Sequence, residues 1–367
     1  MTITAVRPEP VEACPELVEG LTTNGIDFVM NSVPLDWENS MRPLSRCRFT
    51  LACVLSLAAV CAQAQPAEVK YPSRPVRLVL GYAPGGATDI VARAVAQRLT
   101  ESWGVQVVVE NRPGADTIIA TEAVANAAPD GYTLLLANST NATNPSIYAK
   151  LPYDPTRDFT SVAMLAIAVN LMSANAVFPP NNVKELIALA KTHPGAVTYG
   201  SVGAGSSQHL LVEHFALRAK IKLNHVPYKG GGPALIDTIA GHIPTMIGTI
   251  ATSDAYIKNG KIKPLVVFSA KRSNALPQTA TIGEQGFPDL QSDYWIGIAG
   301  PAKMPASIVA DLNADLNTVI KRTDVRERFA QLGVDATGGT SDEMEQYYRK
   351  ELATWAAVVR DAGIERK

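Results

Sequence analysis

Beyond position 61 the chain contains no cysteine: all four, Cys14, Cys47, Cys53 and Cys61, lie at or before it. The remainder can therefore hold no disulfide, no thiolate metal site and no cysteine nucleophile, which suits an oxidising, exported compartment. Basic runs are lacking, and no basic stretch alternates with aromatics, which excludes a nucleic-acid partner of the usual kind. Charged residues make up only 18% of the chain, with a net charge of −1. Residues 1–65 carry four of the 33 basic and seven of the 34 acidic side chains, so the rest stands near +2 and has no strong field to steer a partner. The five histidines lack the H-x-x-x-H and H-E-x-x-H spacings, so no metal and no cofactor are expected. Low-complexity tracts and tandem repeats are also missing.

What remains is an ordinary globular composition, 47% hydrophobic over 367 residues, long enough for two domains. Positions 41–64 have the layout of a secretory signal. Arg42, Arg46 and Arg48 precede the apolar stretch FTLACVLSLAAV at 49–60, and Ala62-Gln63-Ala64 offers an A-x-A cleavage site. The apolar stretch is shorter than the ~20 residues of a spanning helix. Cys61 suggests a lipid anchor, but Val60 is bulky where a small residue is required, so no anchor is expected. Forty residues precede this signal without sustained periodicity. The expectation is that translation starts at Met41 and that 1–40 is a mis-assigned extension.

The most informative segment is Gly81-Tyr82-Ala83-Pro84-Gly85-Gly86-Ala87-Thr88-Asp89. The apolar run VRLVL before it reads as a buried strand. Ile90, Val91, Ala94, Val95 and Leu99 after it recur at helical spacing, with Thr88 or Asp89 as N-cap. A strand that turns on glycines into a helix exposes N–H groups to an anion. The segment lacks the lysine of a phosphate loop and the G-x-G-x-x-G spacing of a dinucleotide fold. Two readings stay open: a seat for a small carboxylate, or an ordinary tight turn. Tyr199-Gly200-Ser201-Val202-Gly203-Ala204-Gly205-Ser206-Ser207 repeats the layout with different letters. Two such loops, one per lobe, could hold one ligand from opposite sides.

Strand-like and helix-like runs alternate along the rest of the chain. Strands are expected at 76–80, 105–110, 132–137, 197–200, 223–228, 243–250, 262–270 and 295–301. Helices are expected at 90–103, near 117–127, and at 207–219, 233–240 and 341–362. The tail from 305 reads as helical around a strand-like GVDATG at 333–338, and Thr340 and Glu343 form a capping-box pair. Such alternation implies an α/β fold with largely parallel sheets.

YPSRPVRLVLGYAPGGATDIVAR, VVVENRPGA, APDGYTLLLAN, VTYGSVGAGSSQHL and HVPYKGGGPAL occur in this order from residue 71. Together they resemble the Bug family, the extracytoplasmic substrate-binding proteins of tripartite tricarboxylate transporters, over nearly all of 71–364. The resemblance implies a two-lobe periplasmic-binding-protein fold of type II-like organisation, each lobe a mostly parallel sheet flanked by helices, with a cleft between them. Lobe 1 would combine 66–165 with 294–367, and lobe 2 would be 166–293. It further implies a periplasmic, monomeric protein that is no enzyme. Such a protein would trap a di- or tricarboxylate, an acidic amino acid or an aromatic acid and pass it to a membrane permease. Ligand-binding positions would be Tyr82, Pro84, Gly85, Gly86, Thr88 and Asp89, then Asn138, Ser139 and Thr140, then Ser201, Gly205, Ser206, Ser207, His209 and Lys229 in lobe 2.

One position departs from the family. After N-R-P-G-A more glycine is usual, where this chain has Asp116-Thr117. Asp116 either caps the next helix or places a carboxylate near the cleft and changes ligand choice. Lys229 pairs with a ligand carboxylate or is a solvated loop lysine. Arg112 is expected to bridge elements of lobe 1, and Trp295 to pack near the second crossing between lobes. His209, close to Ser207, raises a serine-hydrolase alternative. However, G-x-S-x-G is absent, and His209 fits a first-turn helix residue that packs or hydrogen-bonds. A ligand sensor for a two-component system would share the same fold.

Overall fold

The computed structural model describes residues 71–361 and 363–366. The proposed signal at 41–64, the start at Met41, the extension at 1–40 and Cys61 lie outside the described residues. Among the described residues no helix is long and apolar enough to cross a membrane.

Three strands open the fold: β1 (Val76–Leu80), β2 (Val107–Asn111) and β3 (Thr133–Asn138). All three pair in parallel, in the order β2-β1-β3. Their connections are α1 (Ala87–Trp103) and α2 (Ile118–Ala125), and α3 (Ser139–Ile147) follows β3. Parallel strands require such a helix-length return.

The next strand, β4 (Phe159–Asn175), is 17 residues long and almost wholly buried. The sequence predicts no strand there, because a strand covered on both faces shows no period-2 alternation. Its first part pairs antiparallel with β9 (Asp293–Pro301) and β10 (Val334–Ala336), and β9 in turn pairs with β3. From Asn170 onward it pairs instead with β7 (Thr245–Thr249) and β8 (Ile262–Val267). One strand thus serves two sheets. The second sheet continues with β5 (Thr198–Ser201) and β6 (Asn224–Pro227), parallel to each other and, for β5, to β7. The parallel pairs expected from the alternation are present in both halves. β4 adds antiparallel pairs with β7, β8, β9 and β10, and β9 adds one with β3.

Helices α4 (Val183–Thr192), α5 (Ser207–Ala219), α6 (Gly231–Ala240) and α7 (Ile250–Lys258) cover the second sheet. The first is covered by α8 (Ala306–Lys321), α9 (Thr323–Gln331) and α10 (Ser341–Asp361). Separate apolar cores follow. One gathers Leu78, Leu80, Val91, Ile296 and Phe329; the other gathers Met172, Leu186, Tyr199, Phe215 and Phe268. Trp295, 1% exposed, packs edge-on against Tyr347 and Tyr348 of α10 beside the second crossing. The capping box of α10 forms as its spacing predicts, with Glu343 N–H donating to Thr340 Oγ1 at 3.1 Å and Thr340 N–H to Glu343 Oε2 at 2.7 Å. α1 begins at Ala87, earlier than expected. Its N-cap is Gly86, without a side-chain bond, rather than Thr88 or Asp89.

Candidate functional site

Four loops at the carboxyl ends of the parallel strands converge, as expected for open α/β sheets. They follow β1 (residues 81–86), β2 (112–117), β5 (202–206) and β6 (228–230). The halves touch directly there. Ala83 N–H donates to Lys229 O at 2.8 Å, Ser207 N–H to Thr140 Oγ1 at 3.3 Å, and Thr143 Oγ1 to Gly205 O at 3.1 Å. Between the loops lies a cavity of about 290 Å³. One wall is Gly81, Tyr82 and Gly114–Thr117 with Tyr148; the other is Val202–Ala204 and Pro227–Lys229. A second void of about 20 Å³ lies under Tyr82, Gly86, Thr88, Gln208, Thr249, Thr252 and Tyr294. Its size suits a single water.

The expected site residues divide by what they touch. Tyr82 lines both spaces and donates to Thr140 Oγ1 at 2.6 Å. Burial pushes its hydroxyl well up, so it remains a donor. Gly86 and Thr88 line the small void, where Thr88 Oγ1 meets Tyr294 Oη at 3.1 Å. Pro84 and Gly85 face the Gly230–Gly232 loop across the cleft. Lys229 lines the larger cavity.

The remaining residues support the loops. Asp89 accepts from Gly85 N–H at 3.1 Å, Arg93 Nε at 3.0 Å and Asn111 Nδ2 at 3.0 Å. Burial pushes its carboxyl up, yet these hydrogen bonds outweigh burial and hold it below its ordinary value. Asn138 caps α3 in a reciprocal box with Asn141, and Ser139 Oγ accepts from Trp295 N–H at 3.0 Å. Ser201 Oγ donates to Gly203 O at 2.8 Å, and Ser206 caps α5 by accepting from His209 N–H. His209 stacks on His225 with ring centroids 4.0 Å apart. Arg112 pairs with Glu110, which also holds Arg77, within the first lobe.

Asp116 does not cap the helix: neither turn at 115–118 has a side-chain cap bond. Its carboxylate is held by Tyr148 of the same lobe and lies against the loop glycines of the second. Oδ2 accepts from Tyr148 Oη at 2.5 Å, and the backbone carbonyl accepts from Asn144 Nδ2 at 2.9 Å. Burial, then Asp116 itself, pushes the Tyr148 hydroxyl up and keeps it a donor. A Cβ at Gly203 would overlap Asp116 Oδ1, and one at Gly205 would lie 2.8 Å from Oδ2. The glycines of the second loop therefore make room for this carboxylate. Tyr148, 32 positions away, carried no sequence signal. Nor did Gln208, Thr249, Thr252 and Tyr294 around the small void, since isolated polar residues in helices and strands look the same in any role.

Residues 91–364, more than half of the chain, match the tripartite tricarboxylate transporter family receptor. The chain belongs to this family. It is similar to the protein BugT of Bordetella pertussis, 34% identical over 299 residues, which span 81% of this chain and 92% of BugT. A protein of R. palustris solved with adipate is 32% identical with a TM-score of 0.78, covering 81% of this chain and 100% of its own. MatC from Rhodopseudomonas palustris, solved with malate, is 31% identical with a TM-score of 0.76, covering 79% and 100%. The protein is a receptor-type periplasmic solute-binding protein of two-lobe α/β fold, and not an enzyme. The Ser201–His225 contact of 2.7 Å is accordingly a buried support of the second loop, with Ser201 fully covered.

Proposed function

We propose that this protein captures a small carboxylated metabolite between its lobes and delivers it to the membrane permease of a tripartite tricarboxylate-type transporter. In this reading lobe 1 comprises 66–165 with 294–367 and lobe 2 comprises 166–293. The hinge is the two crossings at β4 and β9. A single chain supplies both walls and acts as a monomer. The observation that carries the proposal is the cavity itself. Strand-to-helix loops of both halves close on about 290 Å³, with Tyr82 on one wall and Lys229 on the other. Loop N–H groups, hydroxyls and one lysine suit reversible carboxylate capture. Adipate in one structural relative and malate in another support the ligand class. A ligand that binds only the folded chain stabilises it by about 2.7 kcal/mol at a hundred times Kd. A panel of mono-, di- and aromatic carboxylates is therefore expected to raise Tm in a concentration-dependent way. The absence of any shift across the panel would sink this reading.

A further inference from the structure

Resting on that reading, we propose that Asp116 is a specificity-determining residue. It makes the cavity select a ligand with one carboxylate and, at its far end, an amine or other cationic donor, over a ligand with two carboxylates.

The loop that carries Asp116 is built at a cost. Ala115, Asp116 and Thr117 have φ of 45°, 50° and 74°, three successive non-glycine residues in the left-handed region. Strain of this kind persists where the surroundings enforce it and concentrates at ligand clamps. The enforcing contacts are the Asn144 and Tyr148 bonds on one side and the Gly203 and Gly205 backbone on the other. The carboxylate is thereby fixed at the cavity wall, where glycine would present only backbone.

Its charge is left for a ligand to answer. Among the described residues, neither Asp116 nor Lys229 takes part in an ion pair, and both line the same cavity from opposite lobes. In this proposal a ligand carboxylate sits by Lys229 and the ligand's other polar end by Asp116, which lines the facing wall. A second carboxylate there meets a like charge in a partly desolvated space, whereas an ammonium meets an opposite one. Tyr148 already fills one acceptor position of Oδ2. The remaining lone pairs accept from a donor and cannot serve an acceptor.

The test uses the folded chain with ligand pairs matched in their methylene linker: glutarate with 4-aminobutyrate, and adipate with 5-aminopentanoate. Calorimetry compares wild type with Asp116→Asn and Asp116→Gly; the second variant also relieves the left-handed φ, and thermal melts confirm that both fold. Wild type is expected to prefer the amino acid of at least one pair by about tenfold or more, and both variants to shift that preference toward the dicarboxylate by about tenfold or more. A charge contact at a dielectric between those of water and the protein interior is large enough for a tenfold change. Dicarboxylate preference in wild type, or a preference that neither substitution moves, would overturn the role of Asp116 while leaving carboxylate capture intact. If no carboxylate of either kind binds wild type or variants, the capture reading fails and this one with it.

Discussion

The two glycine loops share a layout and differ in what they do with their own polar groups. In the first, no side chain caps α1, and the nearby carboxylate of Asp89 is turned back onto Gly85, Arg93 and Asn111. In the second, Ser206 caps α5 and Ser201 braces Gly203. The first loop thus keeps its helix start open beside Tyr82 and the small void. The second has its helix start satisfied by Ser206 and by Thr140 of the first lobe, and offers instead a glycine floor against which Asp116 lies. The same strand-glycine-helix pattern provides a donor end in one lobe and a space-making surface in the other.

The largest test of this contrast is Gly203→Ala. The added Cβ overlaps Asp116 Oδ1, and the obstacle is a carboxylate held by Tyr148 rather than a free side-chain end. Overpacking of this kind costs about 1–3 kcal/mol. Ligand affinity is expected to fall by more than about tenfold, because the loops no longer close. In the double variant with Asp116→Gly the clash is removed, and both Tm and affinity for a dicarboxylate should recover. Failure to recover would show that Gly203 serves another purpose.

In the first loop the neighbouring glycines are not equivalent. Gly85 has φ 92°, a conformation that costs an L-residue about 1–2 kcal/mol. Gly86 has φ −85°, and a Cβ there would meet Gly231 N at 3.6 Å, an ordinary contact. At Gly86 the weaker capping by alanine and the reduced entropy of the unfolded chain, each about 0.5–1 kcal/mol, nearly cancel. Gly85→Ala should therefore lower stability measurably and Gly86→Ala hardly at all, as read by urea midpoints. Equal effects would remove the distinction between a conformational glycine and an approach glycine in this loop.

How much of this could be read beforehand follows from where the information sits. VRLVL, TLLLA and the Ser207–Ala219 helix announce themselves because each buries one face or lies between clear turn residues. β4 and α3 do not. β4 is apolar on both faces, and α3 is the polar run STNATNPSI with Pro145 inside it, buried for its hydrogen bonds rather than its oiliness. Its only local signal is the spacing of Asn138 and Asn141. The loops around the cavity were legible from their glycines. The partner of Asp116 was not, because Tyr148 reaches it through tertiary packing from 32 positions away. The same holds for Asp89. Its place in a helix start suggests ligand contact, and only the fold brings Asn111 to it.

The smallest expected effect separates the two loops by pH. The folded state holds the Asp89 carboxyl below its ordinary value of 3.8. A depressed carboxyl contributes stability that is fully present above the unfolded value and is lost as pH falls through the folded one. The first loop should therefore weaken below about pH 4. Asp89→Asn should remove that part of the acid dependence while keeping the side chain's shape. Ser206→Ala in the second loop removes a cap worth about 1 kcal/mol, and serine does not titrate, so its cost should be the same at pH 7 and pH 4. Chemical denaturation at several pH values checks both. An Asp89→Asn protein whose acid dependence matches wild type would mean that the carboxylate does not brace the first loop, and that its N–H groups are held by other means.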